Sequence, residues 1–109
     1  MRDVISTNDA PKAIGPYSQA IRANGFIFLS GQTPIDPATQ QLISGSIAEQ
    51  TERVLRNLEA VLKQAGSSMS KVVRCGVFLK DMNDFAAMNE VYGKFFPSNP
   101  PARTTIQAA

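Results

Sequence analysis

The sequence predicts a single α+β domain in which two helices cover one face of a mixed β-sheet. Three observations predict it: an Asn-Gly pair at 24–25 between two β-compatible runs, two stretches with helical periodicity, and an alternating segment near the end. In chain order, these features give strand, hairpin, helix, strand, helix and strand. With 109 residues, the chain has room for one domain, residues 1–109, that buries a core without metals or disulfides.

The first third of the chain predicts a short strand and a hairpin. Val4-Ile5 is an apolar pair typical of a brief strand, and the prolines and glycine within residues 8–16 favour a loop. Residues 18–23 and 26–31 are compatible with β-structure and are joined by Asn24-Gly25. This dipeptide favours a type I′ turn, because such a turn requires positive φ at both central positions.

The open end of this hairpin brings three residues of chemical interest together. With a two-residue turn, Ile21 faces Phe28, and Tyr17 reaches the end that holds Ser30 and Gly31. A glycine there allows a ligand to approach the backbone closely. The alternative is that Gly31 only ends a strand and that Tyr17 packs with its hydroxyl in water.

A turn-rich stretch at 33–45 precedes the first helix. Ser46 and Glu49 have the spacing of a capping box, and Gly66 is placed to end the helix. Apolar residues recur between them on one helical face: Val54, Leu55, Leu58, Val61, Leu62 and Ala65. The charged residues on the other face predict a solvated surface and not a site.

Residues 71–79 predict the next strand. It is rich in β-branched and apolar residues on both faces, so we expect helices or another subunit to cover both sides. Cys75 lies in the middle of this run. We expect its thiol to be buried and inert, because nothing nearby in the sequence would lower its pKa.

Residues 83–96 predict the second helix. An Asp81 or Asn83 cap begins it, and Pro97 ends it. Its apolar stripe comprises Phe85, Met88, Val91, Tyr92, Phe95 and Phe96. Asn89 interrupts that stripe, either as a structural polar residue or as a hydrogen-bonding group presented at an interface.

Residues 100–107 predict a last strand after two prolines. One face of the strand is small or apolar, and the other carries Arg103, Thr105 and Gln107. A guanidinium held at the start of a strand is suited to binding a carboxylate through two hydrogen bonds. A solvated surface arginine is the alternative.

The composition excludes several kinds of chemistry. The sequence has no histidine, and so it lacks the common general base, the Ser/His and Cys/His pairs and the usual zinc ligand sets. Cys-x-x-Cys, Gly-x-Gly-x-x-Gly and P-loop motifs are also missing. We expect no metal and no cofactor, and chemistry based on Arg, Tyr, Ser or Thr, a carboxylate, backbone groups or water.

Charge and hydropathy bear on partners and location. The formal net charge is +2 and the basic residues are scattered singly, which does not favour a nucleic-acid binder. One cysteine permits no internal disulfide, in keeping with a reducing compartment. No stretch approaches the ~18 apolar residues of a membrane span. We expect a cytoplasmic protein, or a mitochondrial or plastid one if a transit peptide has been removed.

The face of the predicted sheet that lies away from the helices carries apolar and aromatic residues. Nothing else in the chain is left to cover it, and a large exposed apolar patch is rare in monomers. We therefore expect self-association, with a pocket between copies of the chain.

Four segments together resemble one known family. They are Gly-Pro-Tyr-Ser-Gln-Ala at 15–20, Phe-Leu-Ser-Gly-Gln at 28–32, Asp-Met-Asn-Asp-Phe at 81–85 with Met-Asn-Glu-Val-Tyr at 88–92, and Pro-Ala-Arg-Thr-Thr at 101–105. In this order and spacing they resemble the RidA/YjgF family of 2-imino/2-enamino acid deaminases over essentially the whole chain. Each motif alone is weak, whereas the set is specific.

The resemblance implies a chorismate-mutase-like fold assembled as a homotrimer, with a cleft at each subunit interface. It implies that Arg103 holds the substrate carboxylate and that Phe85 forms an apolar wall. The other residues assigned to the cleft are Tyr17, Ser30, Gly31, Asn89 and Thr105.

The implied reaction is the hydrolysis of reactive 2-imino acids such as 2-iminopropionate, which form from 2-aminoacrylate shed by PLP-dependent dehydratases. Ammonia leaves and a 2-oxo acid remains, which protects PLP enzymes from damage. We expect Arg103 to orient the substrate, and the Tyr17 hydroxyl and the backbone at Ser30-Gly31 to contact the imine or its water. The alternatives are an RNA-binding endoribonuclease or translation inhibitor, and a non-catalytic protein that binds small carboxylates.

The sequence departs from the family pattern at its end. Members of the family continue with a Leu-Pro turn and a final strand whose glutamate lies in the cleft, whereas this sequence stops at Ala109. No carboxylate here takes that place by motif. If the protein ends there, we expect an unpaired sheet edge and impaired activity or a perturbed trimer.

Overall fold

Strands and helices follow one another in the predicted order. The computed structural model describes residues 1–109. The strands are β1 (Arg2–Ile5), β2 (Ala20–Ala23), β3 (Phe26–Leu29), β4 (Ile35–Asp36), β5 (Gln41–Leu42), β6 (Arg74–Leu79) and β7 (Ala102–Gln107). The helices are α1 (Ile47–Gln64) and α2 (Phe85–Phe95). Neither helix combines the length and the apolar character that crossing a bilayer requires. The α+β class is confirmed.

The strands form three separate sheets. β1, β2 and β3 make an antiparallel sheet in that order, β6 and β7 pair in parallel, and β4 and β5 form a short ribbon within the stretch predicted as turns. One continuous mixed sheet was predicted, and this is wrong, because no ladder joins β3 to β6 or β7. The two larger sheets are held together by side-chain packing instead, since Leu29 and Val77 contact the same apolar cluster.

The hairpin between β2 and β3 has the predicted turn and register. Asn24 and Gly25 both have positive φ, 53° and 80°, as a type I′ turn requires. Ala23 pairs with Phe26, and the ladder continues in that register to the pair Ala20 and Leu29. The open end of the hairpin is therefore where the sequence predicted it.

Helix α1 begins and ends at the predicted signals. The Ser46 Oγ accepts the N–H of Glu49 at 3.2 Å, and the Glu49 carboxylate accepts the N–H of Ser46 at 3.1 Å, which completes the capping box. At the other end, Gly66 has a φ of 79°, and its N–H donates to the Lys63 carbonyl. One buried residue was not predicted: the Asn57 amide donates to the Ile35 carbonyl at 2.8 Å and so ties α1 to β4.

Helix α2 follows a single 3₁₀ turn, Met82–Asp84. The Asp81 carboxylate accepts the N–H of Asn83 at 2.9 Å, so the predicted capping residue starts the turn and not the α-helix itself. The helix ends before Pro97. The inner faces of both helices meet in the main core, which comprises Leu55, Leu62, Met69, Met88, Tyr92 and Phe96.

The pair of β6 and β7 is covered on one face only. Cys75, Val77 and Leu79 pack against the main core, whereas Phe78, on the opposite face of β6, is 71% exposed. The expectation that this strand is covered on both faces is therefore not met within one chain. Cys75 is a free thiol that is half-buried beneath the helices, less enclosed than expected.

Candidate functional site

The predicted site residues lie in two groups on different parts of the fold. Tyr17, Ser30 and Gly31 lie at the open end of the β2–β3 hairpin. The second group lies where β7 passes beneath α2 and comprises Phe85, Asn89, Arg103 and Thr105. We call these groups the hairpin group and the β7–α2 group.

Two residues of the hairpin group, Tyr17 and Ser30, border an open groove of about 580 Å³. Its lining includes Arg2, Pro16, Tyr17, Phe28 and Ser30. The Tyr17 side chain is half exposed, and its hydroxyl accepts the N–H of Ile14 at 3.4 Å. That contact leaves the phenol proton free to donate to a ligand.

Within the predicted pair Ser30-Gly31, only the glycine keeps a free donor. The Ser30 N–H donates to the Gln19 carbonyl at 3.0 Å, and the Ser30 hydroxyl donates to the Ser18 carbonyl at 2.6 Å. The N–H of Gly31 is unpaired, and a methyl group added at this glycine would meet no atom within 4 Å. A ligand that needs a backbone donor at this end of the hairpin therefore finds it at Gly31.

Gln19 supports the hairpin group and was missed by the sequence analysis. Its buried side chain accepts the N–H of Thr7 at 2.7 Å and donates to the carbonyls of Thr7 at 3.1 Å and Pro11 at 2.8 Å. These bonds fix the loop that leads to Tyr17 against β2. The only signal in the sequence was a long polar side chain at the start of a β-compatible run, which is too weak to identify a buried residue.

In the β7–α2 group, the guanidinium of Arg103 lies over two aromatic rings. Its Cζ is 4.7 Å from the ring centroid of Tyr92 and 5.4 Å from that of Phe85. The side chain is half-buried, and it takes part in none of the three ion pairs of the chain, which involve Arg22 and Arg56. The guanidinium is therefore not a fully exposed surface group.

The register of β6 and β7 explains why Arg103 points inward. Cys75 pairs with Arg103, and Val77 pairs with Thr105. Paired residues point to the same side of a sheet, and Cys75 and Val77 face the helices. The polar face of β7 is consequently the inner one, while Ala102, Thr104 and Ile106 are exposed.

Asn89 and Thr105 add neutral hydrogen-bonding groups beside the cation. Asn89 follows Phe85 by four positions and precedes Tyr92 by three, so the three side chains share one face of α2. The side chains of Asn89 and Thr105 are half-buried, and neither makes a hydrogen bond within the chain. By contrast, both the oxygen and the nitrogen of the buried amides of Gln19 and Asn57 are hydrogen-bonded within the chain.

Tyr92 belongs to this group, although the helical periodicity of the sequence predicted it only as part of the apolar stripe of α2. Its hydroxyl is buried and has no hydrogen-bond partner. Burial, with a smaller contribution from the nearby Cys75 thiol, raises the pKa of Tyr92 well above its ordinary value. The phenol is therefore neutral throughout the physiological pH range and does not neutralise Arg103. The three-residue spacing from Asn89 was the signal that could have placed it there.

The two groups do not share the groove beside Tyr17 within one chain. The groove beside Tyr17 is lined by none of the residues of the β7–α2 group. No group of three or more His, Cys, Asp or Glu side chains is arranged to hold a metal ion. The β7–α2 group presents the unpaired guanidinium of Arg103 beside the free side chains of Asn89 and Thr105. The hairpin group presents the free N–H of Gly31 and the phenol of Tyr17. The β7–α2 group is suited to binding a small carboxylate.

Comparisons with known proteins identify the family to which the chain is similar. Residues 7–109 match a family model described as endoribonuclease L-PSP. The human protein named 2-iminobutanoate/2-iminopropanoate deaminase is 48% identical over 109 residues, which cover 100% of this chain and 80% of the human one.

Solved structures with this fold include a Thermotoga maritima protein and E. coli TdcF, the latter with bound serine. The first has 48% identity and a TM-score of 0.98 over 100% of this chain and 86% of its own. The second has 37% identity and a TM-score of 0.93 over 98% and 86% of the two chains.

Proposed function

Since the chain belongs to the endoribonuclease L-PSP family, also known as the RutC/RidA family, we propose that it hydrolyses reactive 2-imino and 2-enamino acids to 2-oxo acids and ammonia. The observation that carries this proposal is the unpaired, half-buried guanidinium of Arg103 above the rings of Phe85 and Tyr92. Relatives named for this reaction support it. The serine bound to TdcF is a small molecule with a carboxylate, and it supports the same substrate class.

The reaction does not require a strong general acid or general base from the protein. In a 2-imino acid, C2 is already electrophilic; water adds to it, the C–N bond breaks, and ammonia leaves as the oxygen becomes the carbonyl of a 2-oxo acid. The protein's task is to hold the carboxylate, place one water near C2 and shield the intermediate. A chain without histidine is adequate for this task.

The roles of the residues follow from their free groups. Arg103 binds the carboxylate through two N–H donors. Asn89 and Thr105 hydrogen-bond the substrate next to it, and Phe85 forms the apolar wall. The Tyr17 hydroxyl contacts the imine nitrogen or its water.

At the hairpin end, the roles of the two neighbouring residues differ. The unpaired N–H of Gly31 supplies the backbone donor. Ser30 contributes by shaping the end of the hairpin, because its own donors are engaged with the carbonyls of Ser18 and Gln19. The backbone contact with the imine or its water that was expected of the Ser30-Gly31 pair is therefore assigned to Gly31 alone.

A homotrimer would unite the two groups. Neither group is enclosed by one chain, and both larger sheets expose apolar side chains on the face away from the helices, among them Phe26, Phe28 and Phe78. We propose that this face is buried between subunits, and that the hairpin group of one subunit completes the β7–α2 group of the next.

The first experiment measures the release of ammonia from freshly generated 2-aminoacrylate by the purified protein. We expect Arg103→Ala to lower kcat/KM by at least ~100-fold, on the scale of about 3 kcal/mol for losing one partner of a desolvated charge pair. Arg56→Ala is the matched control, because Arg56 lies 4.8 Å above the ring of Phe95 but outside the site. Near-normal activity of Arg103→Ala would refute the assignment.

The same preparation tests the other two functions considered for the sequence. RNA cleavage that survives in Arg103→Ala and depends steeply on salt would indicate an endoribonuclease. Protection by 2-oxo acids against thermal unfolding, without any turnover, would indicate a protein that binds carboxylates and does not catalyse.

A further inference from the structure

We propose that Tyr92 is a positioning residue whose ring holds the Arg103 guanidinium in the orientation that binds the substrate carboxylate. This inference rests on the proposed function and assigns a role to a residue that was predicted only as part of the apolar stripe of α2. It concerns the ring of Tyr92 and not its hydroxyl.

The first support is that the Tyr92 ring is the better fixed of the two rings beneath Arg103. Tyr92 is only 7% exposed and belongs to the main core, and its ring lies 4.7 Å from that of Phe96. Phe85 is half-buried and farther from the guanidinium, at 5.4 Å compared with 4.7 Å for Tyr92. A ring held by core packing is a stable surface for a mobile side chain.

The second support is that nothing else in the chain orients the guanidinium. Arg103 has no carboxylate partner, and its side chain donates no hydrogen bond within the chain. A long side chain of this kind loses rotamer entropy when it binds a ligand, and a surface that restricts it beforehand reduces that loss. Stacking on a ring leaves the edge of the guanidinium plane, where its N–H donors lie, open to a carboxylate.

The third support is the electrical neutrality of the Tyr92 hydroxyl. A phenol is protonated at neutral pH, and burial raises the pKa of Tyr92 still further above that range. The ring therefore attracts the cation without pairing with it. An aspartate or glutamate in this place would neutralise Arg103 and compete with the substrate.

The test compares Tyr92→Met with Tyr92→Phe. Met preserves much of the apolar volume but has no ring face, whereas Phe keeps the ring and removes the hydroxyl. We expect Tyr92→Met to raise KM, and the inhibition constant of pyruvate as a simple 2-oxo acid, by ~10-fold with a smaller change in kcat. We expect Tyr92→Phe to rescue both constants to within about twofold.

Two controls separate positioning from loss of packing. Phe95→Leu removes the ring beneath Arg56 and should leave the pyruvate constant unchanged. In an Arg103→Ala background, adding Tyr92→Met should have no further effect on pyruvate binding, because the ring acts through the arginine. An additional loss of similar size in that background would overturn the proposal.

A measurement on the unmodified protein covers the case in which Tyr92→Met does not fold. In NMR spectra, the Nε–H resonance of Arg103, identified by its absence in Arg103→Lys, should show an upfield ring-current shift. A resonance at the random-coil position would refute positioning by the ring. This readout and pyruvate binding by calorimetry need no turnover, so both test the positioning role even if the protein releases no ammonia in the deaminase assay.

Discussion

At the scale of single residues, the site is recognised by polar side chains that make no hydrogen bond or ion pair within the chain. Arg103 is half-buried without a counter-ion, and Asn89 is half-buried without a hydrogen bond. Polar groups removed from water are normally paired, because an unpaired one costs about 1–3 kcal/mol. Groups that stay unpaired side by side are therefore ready to accept a ligand.

Gly31 allows a prediction that separates binding from folding. Its φ lies outside the left-handed region and an added methyl group meets no atom within 4 Å, so Gly31→Ala should change the free energy of unfolding by less than about 0.5 kcal/mol. If the substrate approaches the N–H of Gly31, the methyl group obstructs it. We expect kcat/KM to fall ~10-fold or more in the ammonia-release assay.

Gly25→Ala provides the reciprocal control. Gly25 has a φ of 80° at the turn, at the opposite end of the hairpin from Gly31. Alanine is strained in that conformation by about 1–2 kcal/mol. The variant should lose stability in urea unfolding and keep its kcat/KM. Unchanged kcat/KM in Gly31→Ala would remove that glycine from the site.

At the scale of elements, the capping box of α1 predicts a measurable contribution to stability. The Ser46 hydroxyl and the Glu49 carboxylate hold each other and the first turn through bonds of 3.1 and 3.2 Å. Ser46→Ala should lower the free energy of unfolding at pH 7 by about 1 kcal/mol, measured by urea denaturation. Ser44→Ala, an exposed serine before the helix, should have no effect.

The capping box of α1 also predicts that the free energy of unfolding depends on pH. The backbone N–H of Ser46, and then its hydroxyl, bond the charged form of Glu49 and lower the pKa of its carboxyl. Because the folded-state pKa is depressed, this contribution is present above the unfolded value of about 4.3 and is lost as the pH falls through the folded value. The stability difference between wild type and Glu49→Gln should therefore shrink below pH ~4.3; a difference that grows there would contradict the assignment.

At the scale of the whole molecule, the unusual feature is the amount of apolar surface on the sheets. Val4, Phe26 and Phe28 are exposed on the antiparallel sheet, and Phe78 and Ile106 are exposed on the parallel pair. Each of these side chains points away from the helices. A face of this kind is more typical of an interface than of a monomer surface.

The proposed trimer can be tested on this face. We expect native mass spectrometry of the wild type to give three times the monomer mass, and Phe78→Asp to give a monomer, because burying an unpaired carboxylate in an interface is unfavourable. Leu42→Asp is the matched control, since Leu42 is 66% exposed but lies on the β4–β5 ribbon. A monomeric wild type at micromolar concentration would refute the trimer and the shared site.

Much of the fold could be predicted because its signals are local. Asn24-Gly25 forms the turn, Ser46 and Glu49 form the capping box, and Gly66 ends α1. The β4–β5 ribbon was missed because each of its strands has only two residues. The burial of Gln19 and Asn57 was missed because their partners, Thr7 and Ile35, are distant in the sequence.

The sequence by itself determined the order of the main strands and helices, the ends of α1 and the hairpin register, since each depends on residues a few positions apart. It also determined that Arg103 stands at the start of the last strand. Only the tertiary structure decided that this arginine points inward, that Tyr92 lies beneath it, and that Gly31 keeps its donor where Ser30 does not. The reason is physical: strand alternation specifies two faces, but packing between distant segments chooses which face is buried.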